Sequence, residues 1–71
     1  MLPSMTPVSS SNVEAVGYDD AAGDLYVSFL SGTTYVYYGV DRSHYEALLA
    51  ASSVGSYLAT HIKPYYRYAR L

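Results

Sequence analysis

The chain has 71 residues, 51% of them hydrophobic, and a formal net charge of −2 at pH 7, which suits one small domain with a thin core. It contains no cysteine, so a disulfide framework, a zinc ribbon and a thiol nucleophile are excluded. No apolar run approaches the about 18 residues of a membrane span, and the N-terminus lacks the features of a signal peptide. We therefore expect a cytoplasmic protein that does not contact a membrane.

Two further features of the sequence are its tyrosine content and the distribution of charged residues along the chain. The chain holds ten tyrosines, one phenylalanine and no tryptophan, and each buried tyrosine also needs a partner for its hydroxyl. Residues 1–41 carry five acids and no base, whereas residues 42–71 carry four bases and one acid. A net-acidic chain is a poor candidate for tight nonspecific DNA binding, although a local basic patch is compatible with it.

The first half of the chain predicts strands. Residues 1–8 contain two prolines and no apolar period, which indicates a flexible arm, and residues 9–71 are predicted to form one domain. Residues 12–18 are strand-like, with Val13, Ala15 and Gly17 on one face. The next run, residues 24–30, alternates with period two after an Asp- and Gly-containing turn.

A third strand is predicted over residues 33–38, after the turn at Ser31-Gly32. A two-residue loop would place Val36 and Tyr38 beside Leu25 and Val27, whereas a three-residue loop with a left-handed Gly32 would place Tyr35 and Tyr37 there. The two registers exchange the faces of the strand. We favour the bulged loop, in which Tyr35 and Tyr37 serve as core or scaffold residues.

The second half changes to a helical period. A first helix starts at a cap supplied either by Ser43, which has the capping-box spacing to Glu46, or by Asp41. Tyr45, Leu48 and Leu49 would form its apolar stripe. A second helix of about ten residues follows the Ser52-Ser53 cap, and Pro64 is expected to end it by pushing Lys63 out of helical geometry.

The last seven residues alternate enough to form either a final strand or an extended arm. The whole pattern predicts an α+β domain: a three-stranded antiparallel meander, two short helices and, if the tail is ordered, a C-terminal strand.

This series of segments resembles the KTSC domain, a short family found at the C-terminal end of some lysyl-tRNA synthetases and as free-standing proteins of bacteria and phages. The resemblance runs from about Val8 to Leu71 and departs from the family at Asp41-Arg42, where a proline is common. The matching motifs are Ser10-Ser11-Asn12, Gly17-Tyr18-Asp19, Leu25-x-Val27-x-Phe29, Ser31-Gly32, Tyr35-x-Tyr37, Gly39-Val40, Tyr45-Glu46-Ala47-Leu48-Leu49, Ser53-x-Gly55-x-Tyr57 and His61-Ile62.

The resemblance implies the fold described above and a role close to nucleic acid or nucleotides, but no established activity. It also favours the bulged hairpin register.

The sequence does not support a catalytic site or a metal site. Ser, His and Asp are present without a nucleophile elbow, and the two histidines lack metal-ligand spacing and thiolate partners. We therefore expect a binding module that is not an enzyme, with no cofactor and no metal.

The tail interleaves aromatic rings with cations, a pattern that suits base stacking and phosphate contact. The predicted partner is RNA or a small, signalling-type nucleotide. The alternative is a protein-interaction or homo-oligomeric assembly module without a nucleotide ligand, in which the acidic half of one copy meets the basic half of another. A structural use of the tail, with its tyrosines covering the sheet, competes with ligand contact. The predicted ligand-binding residues are Ser53, Gly55, Lys63, Tyr66, Arg67, Tyr68 and Arg70.

Overall fold

A computed structural model describes residues 3–71 as one antiparallel sheet with helices on one face. The sheet has five strands in the order β1-β2-β3-β4-β5, each paired with its neighbour. The elements in chain order are β1 (Thr6–Pro7), β2 (Val13–Asp19), β3 (Asp24–Phe29), β4 (Thr34–Tyr37), α1 (Arg42–Ala50), α2 (Val54–Tyr57), which continues as a π-helix (Leu58–Ile62), and β5 (Tyr68–Arg70). Within this range no helix is long and apolar enough to cross a membrane.

The predicted α+β class is confirmed, and the predicted meander corresponds to β2, β3 and β4. The sheet is wider than predicted. The C-terminal tail forms β5 against β4, and the additional strand β1 pairs with β2. This strand lies within the arm predicted over residues 1–8, of which residues 1–2 lie outside the described residues.

A β-bulge corrects the predicted faces of β2. Val13 is opposite Phe29 and Ala15 is opposite Ser28, so β2 has one residue more than β3 between these two pairs. The extra residue brings Val13 and Val16 to the same side, and both are fully buried in the core. The prediction that Val13 shares a face with Ala15 and Gly17 is therefore wrong.

The bulged register of the β3–β4 hairpin is confirmed. Leu25 pairs with Tyr37 and Val27 with Tyr35. The Phe29 amide donates to the Thr33 carbonyl over 2.8 Å, and Gly32 has a φ of 95°, a conformation that favours glycine. Two tyrosines of β4 are thus directed to the same face as the core residues of β3.

The helices cover this core face. Asp41, the second of the two predicted caps, begins α1 by accepting a hydrogen bond from the Ser43 amide, and hydrogen bonds from Ser43 lower the pKa of the Asp41 carboxyl. Leu48 is fully buried, whereas Leu49 is exposed, so its predicted place in the apolar stripe is wrong. The buried residues of the central cluster are Val13, Val16, Leu25, Val27, Tyr37, Val40, Leu48, Val54, Leu58 and Ile62.

The second helix begins at the predicted cap but ends differently. The Ser53 hydroxyl accepts from the Ser56 amide, which confirms the cap. Lys63 keeps helical dihedral angles (φ −54°, ψ −42°), so the prediction that Pro64 forces it out of helical geometry is wrong. The physical reason is the π-helix: the Lys63 amide donates five residues back, to the Leu58 carbonyl, over 2.9 Å.

The segment before β1 crosses the outer side of β2 at Gly17, because this glycine leaves room for it. A Cβ at residue 17 would lie 2.6 Å from Met5 Sδ and 2.9 Å from the Ser4 carbonyl oxygen. We therefore expect Gly17→Val to displace residues 3–5 while β2–β3 pairing persists. Hydrogen exchange should then show faster exchange at the Val8 amide, which donates to the Glu14 carbonyl, and unchanged exchange in β3. Unchanged protection of Val8 would contradict this expectation.

Candidate nucleic-acid interface

An aromatic groove of about 540 Å³ opens on the core face of the sheet, beside the C-terminal end of the π-helix. We call it the tyrosine groove. Its volume lies within the range of about 300–1,000 Å³ that is typical of ligand sites. Its lining residues come from the segment before β2, the β3–β4 hairpin, the end of the π-helix and β5: Asn12, Phe29, Ser31, Thr33, Tyr35, Tyr37, Lys63 and Tyr68.

Three tyrosines form one continuous wall of the groove because of strand register. Tyr37 pairs with Tyr68 across β4 and β5, and Tyr35 stands two residues from Tyr37 on the same face. The Tyr68 ring lies 5.6 Å from the Tyr35 ring and 5.8 Å from the Tyr37 ring, centroid to centroid. The three rings differ in exposure: on β4, Tyr37 is 2% exposed and Tyr35 is intermediate, whereas Tyr68 on the edge strand β5 is 59% exposed. The outermost ring is therefore open to a ligand while the innermost one belongs to the core.

The hairpin and the π-helix bring a cation to the same groove. The Phe29 ring meets the Tyr35 ring edge to face at 5.6 Å, and Lys63 Nζ lies 5.4 Å from the centre of the Phe29 ring. The π-helix places Lys63 one residue beyond Ile62, which is fully buried and holds the end of this helix in the core. An ammonium group at this point can meet a phosphate while the rings contact a base.

The Asn12 side chain lines the groove and packs against α2. The Ser10 hydroxyl donates to Asn12 Oδ1 over 3.1 Å. A Cβ on Gly55 would lie 2.6 Å from the same oxygen, so the absence of a side chain at residue 55 allows this close approach. Gly55 was predicted to be a ligand-binding residue, and the structure places the Asn12 side chain against it.

The other predicted site residues are distributed around the groove. Ser53 caps α2 through its hydroxyl and is exposed. Tyr66 packs against the core, with its ring 5.8 Å from the His44 ring. Arg70 pairs with Tyr35 and so projects from the tyrosine side of β5, whereas the alternation of the strand places Arg67 on the opposite side. Of the seven predicted residues, Lys63 and Tyr68 line the groove.

The cations of the chain separate into two groups. Arg42 binds the acidic end of the molecule, with Nη1 2.5 Å from Asp20 Oδ2 and Nε 3.2 Å from Glu46 Oε2. Within residues 3–71, Lys63, Arg67 and Arg70 form no ion pair. The charge that the groove offers to a phosphate is therefore not neutralised by the described acids.

Stacking also affects the ionisation of the innermost ring. Burial raises the pKa of the Tyr37 phenol, and the neighbouring phenols of Tyr35 and Tyr68 raise it further. The buried Tyr37 phenol therefore stays neutral at physiological pH and presents an uncharged ring to the groove.

Sequence reasoning assigned Tyr35 and Tyr37 to the core or scaffold, which the structure confirms, but it did not predict that the same rings line a groove. The bulged register was the available signal, since it places both rings opposite core residues of β3 and leaves an edge position for Tyr68. Phe29 belongs to the alternating run predicted over residues 24–30, but its contact with Lys63 depends on the π-helix. Within the described residues no three His, Cys, Asp or Glu side chains are grouped to hold a metal ion.

The fold and the groove define a small α+β domain with an aromatic, basic surface, and comparisons with known proteins place it in a family. A model of the KTSC domain family matches residues 9–66. The chain belongs to the KTSC domain family.

Relatives and a solved structure agree with this assignment. A protein of Tsukamurella paurometabola is 44% identical over 63 residues, which cover 89% of this chain and 94% of the relative. An uncharacterized protein of Stutzerimonas stutzeri is 38% identical over 65 residues, covering 90% and 92% of the two chains. The crystal structure of a KTSC domain protein from Yersinia pestis superposes with a TM-score of 0.89 at 30% identity, covering 96% of each chain.

Proposed function

We propose that this KTSC domain is a non-catalytic module that binds single-stranded RNA in the tyrosine groove. The observation that carries the proposal is the graded tyrosine wall, in which a buried Tyr37 supports a half-buried Tyr35 and an open Tyr68 beside Lys63. Unpaired bases stack on aromatic side chains, and cations next to the rings meet the backbone phosphates.

The groove matches single strands better than a duplex. Base stacking needs an unstacked base, and the open face of Tyr68 is available to one. Lys63 and Arg70 are cations on the tyrosine side of the sheet, so a strand stacked on Tyr68 has a cation on the helix side and another on β5. Asn12, Ser31 and Thr33 line the same groove with amide and hydroxyl groups, which can hydrogen-bond to a base edge or a ribose hydroxyl.

Fluorescence anisotropy with a labelled oligouridylate of about eight nucleotides, within the usual range of single-strand sites, tests the proposal. We expect saturable binding by the wild type. Tyr68→Ala should weaken it about 5- to 150-fold, the equivalent of the about 1–3 kcal/mol that one stacked base contributes. Lys63→Ala should reduce the slope of log affinity against log salt by about 0.7, since each phosphate contact releases counterions.

Tyr65→Ala is the matched control, because Tyr65 is 75% exposed and does not line the groove; its affinity should equal that of the wild type. The proposal is overturned if the wild type shows no saturable binding or if Tyr68→Ala binds as tightly as Tyr65→Ala. Competition by a mononucleotide at the affinity of the oligomer would assign the groove to a small nucleotide instead of RNA.

A further inference from the structure

The β5 edge of the sheet has free backbone hydrogen-bonding groups. The Tyr38 amide donates to the Arg67 carbonyl and the Leu71 amide donates to the Thr34 carbonyl. Inward-bonding residues alternate along an antiparallel strand, so residues 67, 69 and 71 face β4. The amides and carbonyls of Tyr68 and Arg70 therefore point away from the sheet, and both residues are exposed.

The opposite edge of the sheet differs. Strand β1 has two residues, and one of them is Pro7, which has no amide hydrogen to donate. Short strands and prolines are features that protect a sheet edge from further pairing. β5 has neither a proline nor, within residues 3–71, a covering segment paired to it.

We propose that two copies of this chain pair through β5 to form a two-fold symmetric dimer. In the antiparallel register centred on Ala69, Tyr68 of one copy is opposite Arg70 of the partner subunit, and Arg70 is opposite the partner's Tyr68. Both residues direct their amides and carbonyls outward, so each opposing pair exchanges two hydrogen bonds. Four backbone hydrogen bonds result, and the inward-bonding Ala69 needs no partner at this edge.

Side chains in this register are complementary. Tyr68 and Arg70 project from the same face of β5, so each guanidinium lies beside a tyrosine ring of the other copy. Cation–π contact between them suits the exposed ring of Tyr68. Ala69, on the two-fold axis, is small enough to oppose itself without a clash. The same strand is thus self-complementary in both its backbone and its side chains, which is what an isologous interface requires.

The dimer joins the two sheets of five strands into one continuous sheet. Opposed residues of an antiparallel pair project to the same face, so both tyrosine grooves would lie on one side of it. The dimer rests on the geometry of the β5 edge and not on the proposed RNA binding, but both proposals use the side chains of Tyr68 and Arg70.

Size exclusion with light scattering on nuclease-treated protein, at concentrations up to about 1 mM to detect a weak interface, tests this proposal. The wild type should show twice the monomer mass. Arg70→Pro removes an outward amide that does not bond to β4 and should shift the protein to monomer. Arg70→Ala keeps that amide and should dimerise within about tenfold of the wild type, since the backbone bonds remain.

Hydrogen exchange of the wild type gives a second measurement that needs no substitution. The Tyr68 and Arg70 amides should become protected as concentration rises, while the Ala69 amide, which bonds to β4, should stay protected throughout. A wild type that stays monomeric at the highest concentration overturns the proposal. So does a dimer in which Arg70→Pro associates like Arg70→Ala, or one in which the Tyr68 and Arg70 amides exchange freely.

Discussion

Tyr37→Ala is expected to lower the free energy of unfolding by about 3–5 kcal/mol, the usual cost of truncating a buried aromatic residue. The Tyr37 ring is 2% exposed and belongs to the central core cluster. A domain of this length has a total stability of roughly 4–11 kcal/mol, so the substitution removes a large part of it. Urea unfolding followed by far-UV circular dichroism measures the change.

Two control variants test whether the loss of stability comes from the buried ring of Tyr37. Tyr65→Ala removes a ring that is 75% exposed and should change stability by less than about 0.5 kcal/mol. Tyr37→Phe keeps the buried ring and should retain most of the stability that Tyr37→Ala loses. A loss below about 1 kcal/mol in Tyr37→Ala would show that Tyr37 is not part of the core and that the groove has a different floor.

The shape of the groove depends on Tyr37 and therefore on the folded core. Tyr68 contacts both Tyr37 and Tyr35, so the exposed ring takes its orientation from two rings that are held by the core. Under the proposed function, a platform held in this way would be ordered before RNA binds, which reduces the entropy lost on binding. Tyrosine therefore serves both in the core, at Tyr37, and on the surface, at Tyr68.

The sequence predicted those parts of the fold that depend on local chemistry. The left-handed Gly32, the Ser53 cap and the two periodicities of the chain each have a local physical cause, and the structure contains all three. The bulge in β2 has no such signature, because one inserted residue at Glu14 changes the face of Val13 without changing the composition. Strand β1 was missed because two residues with a proline carry no period.

The candidate site was predicted in part for a similar reason. Lys63 and Tyr68 could be identified from the alternation of rings and cations in the tail. Asn12 and Phe29 are distant from the tail in sequence, and they reach the groove through the register of the sheet and the π-helix. Tertiary geometry of this kind cannot be derived from spacing within one segment.

Three tyrosines should make the protein sensitive to alkaline pH. Burial raises the pKa values of Tyr18, Tyr26 and Tyr37 above the ordinary value of 10.0. Nearby carboxylates contribute further at Tyr18 and Tyr26, since they disfavour a phenolate. Tyr18 would also lose a hydrogen bond on ionisation, because its hydroxyl donates to the Val40 carbonyl over 2.5 Å.

The sign of the effect follows from linkage. A folded-state pKa above the unfolded value means that the folded protein binds the proton more tightly, so the stabilisation is complete below about pH 10 and is lost as pH rises through the folded-state pKa. Each such tyrosine decreases the unfolding free energy by up to about 1.4 kcal/mol per pH unit in that window.

Urea unfolding at a series of pH values from neutral to strongly alkaline, with tyrosinate absorbance recorded in parallel, measures this loss. The unfolding free energy should be flat until about pH 9 and then fall, and the absorbance should show a late-titrating fraction. Tyr37→Phe removes one titrating group from the core. The unfolding free energy should therefore fall less steeply with pH, by the contribution of one proton. If the unfolding free energy of Tyr37→Phe falls with pH as steeply as that of the wild type, the assignment of Tyr37 as a late-titrating group is wrong. The buried phenol would then make no contribution to the pH dependence of stability.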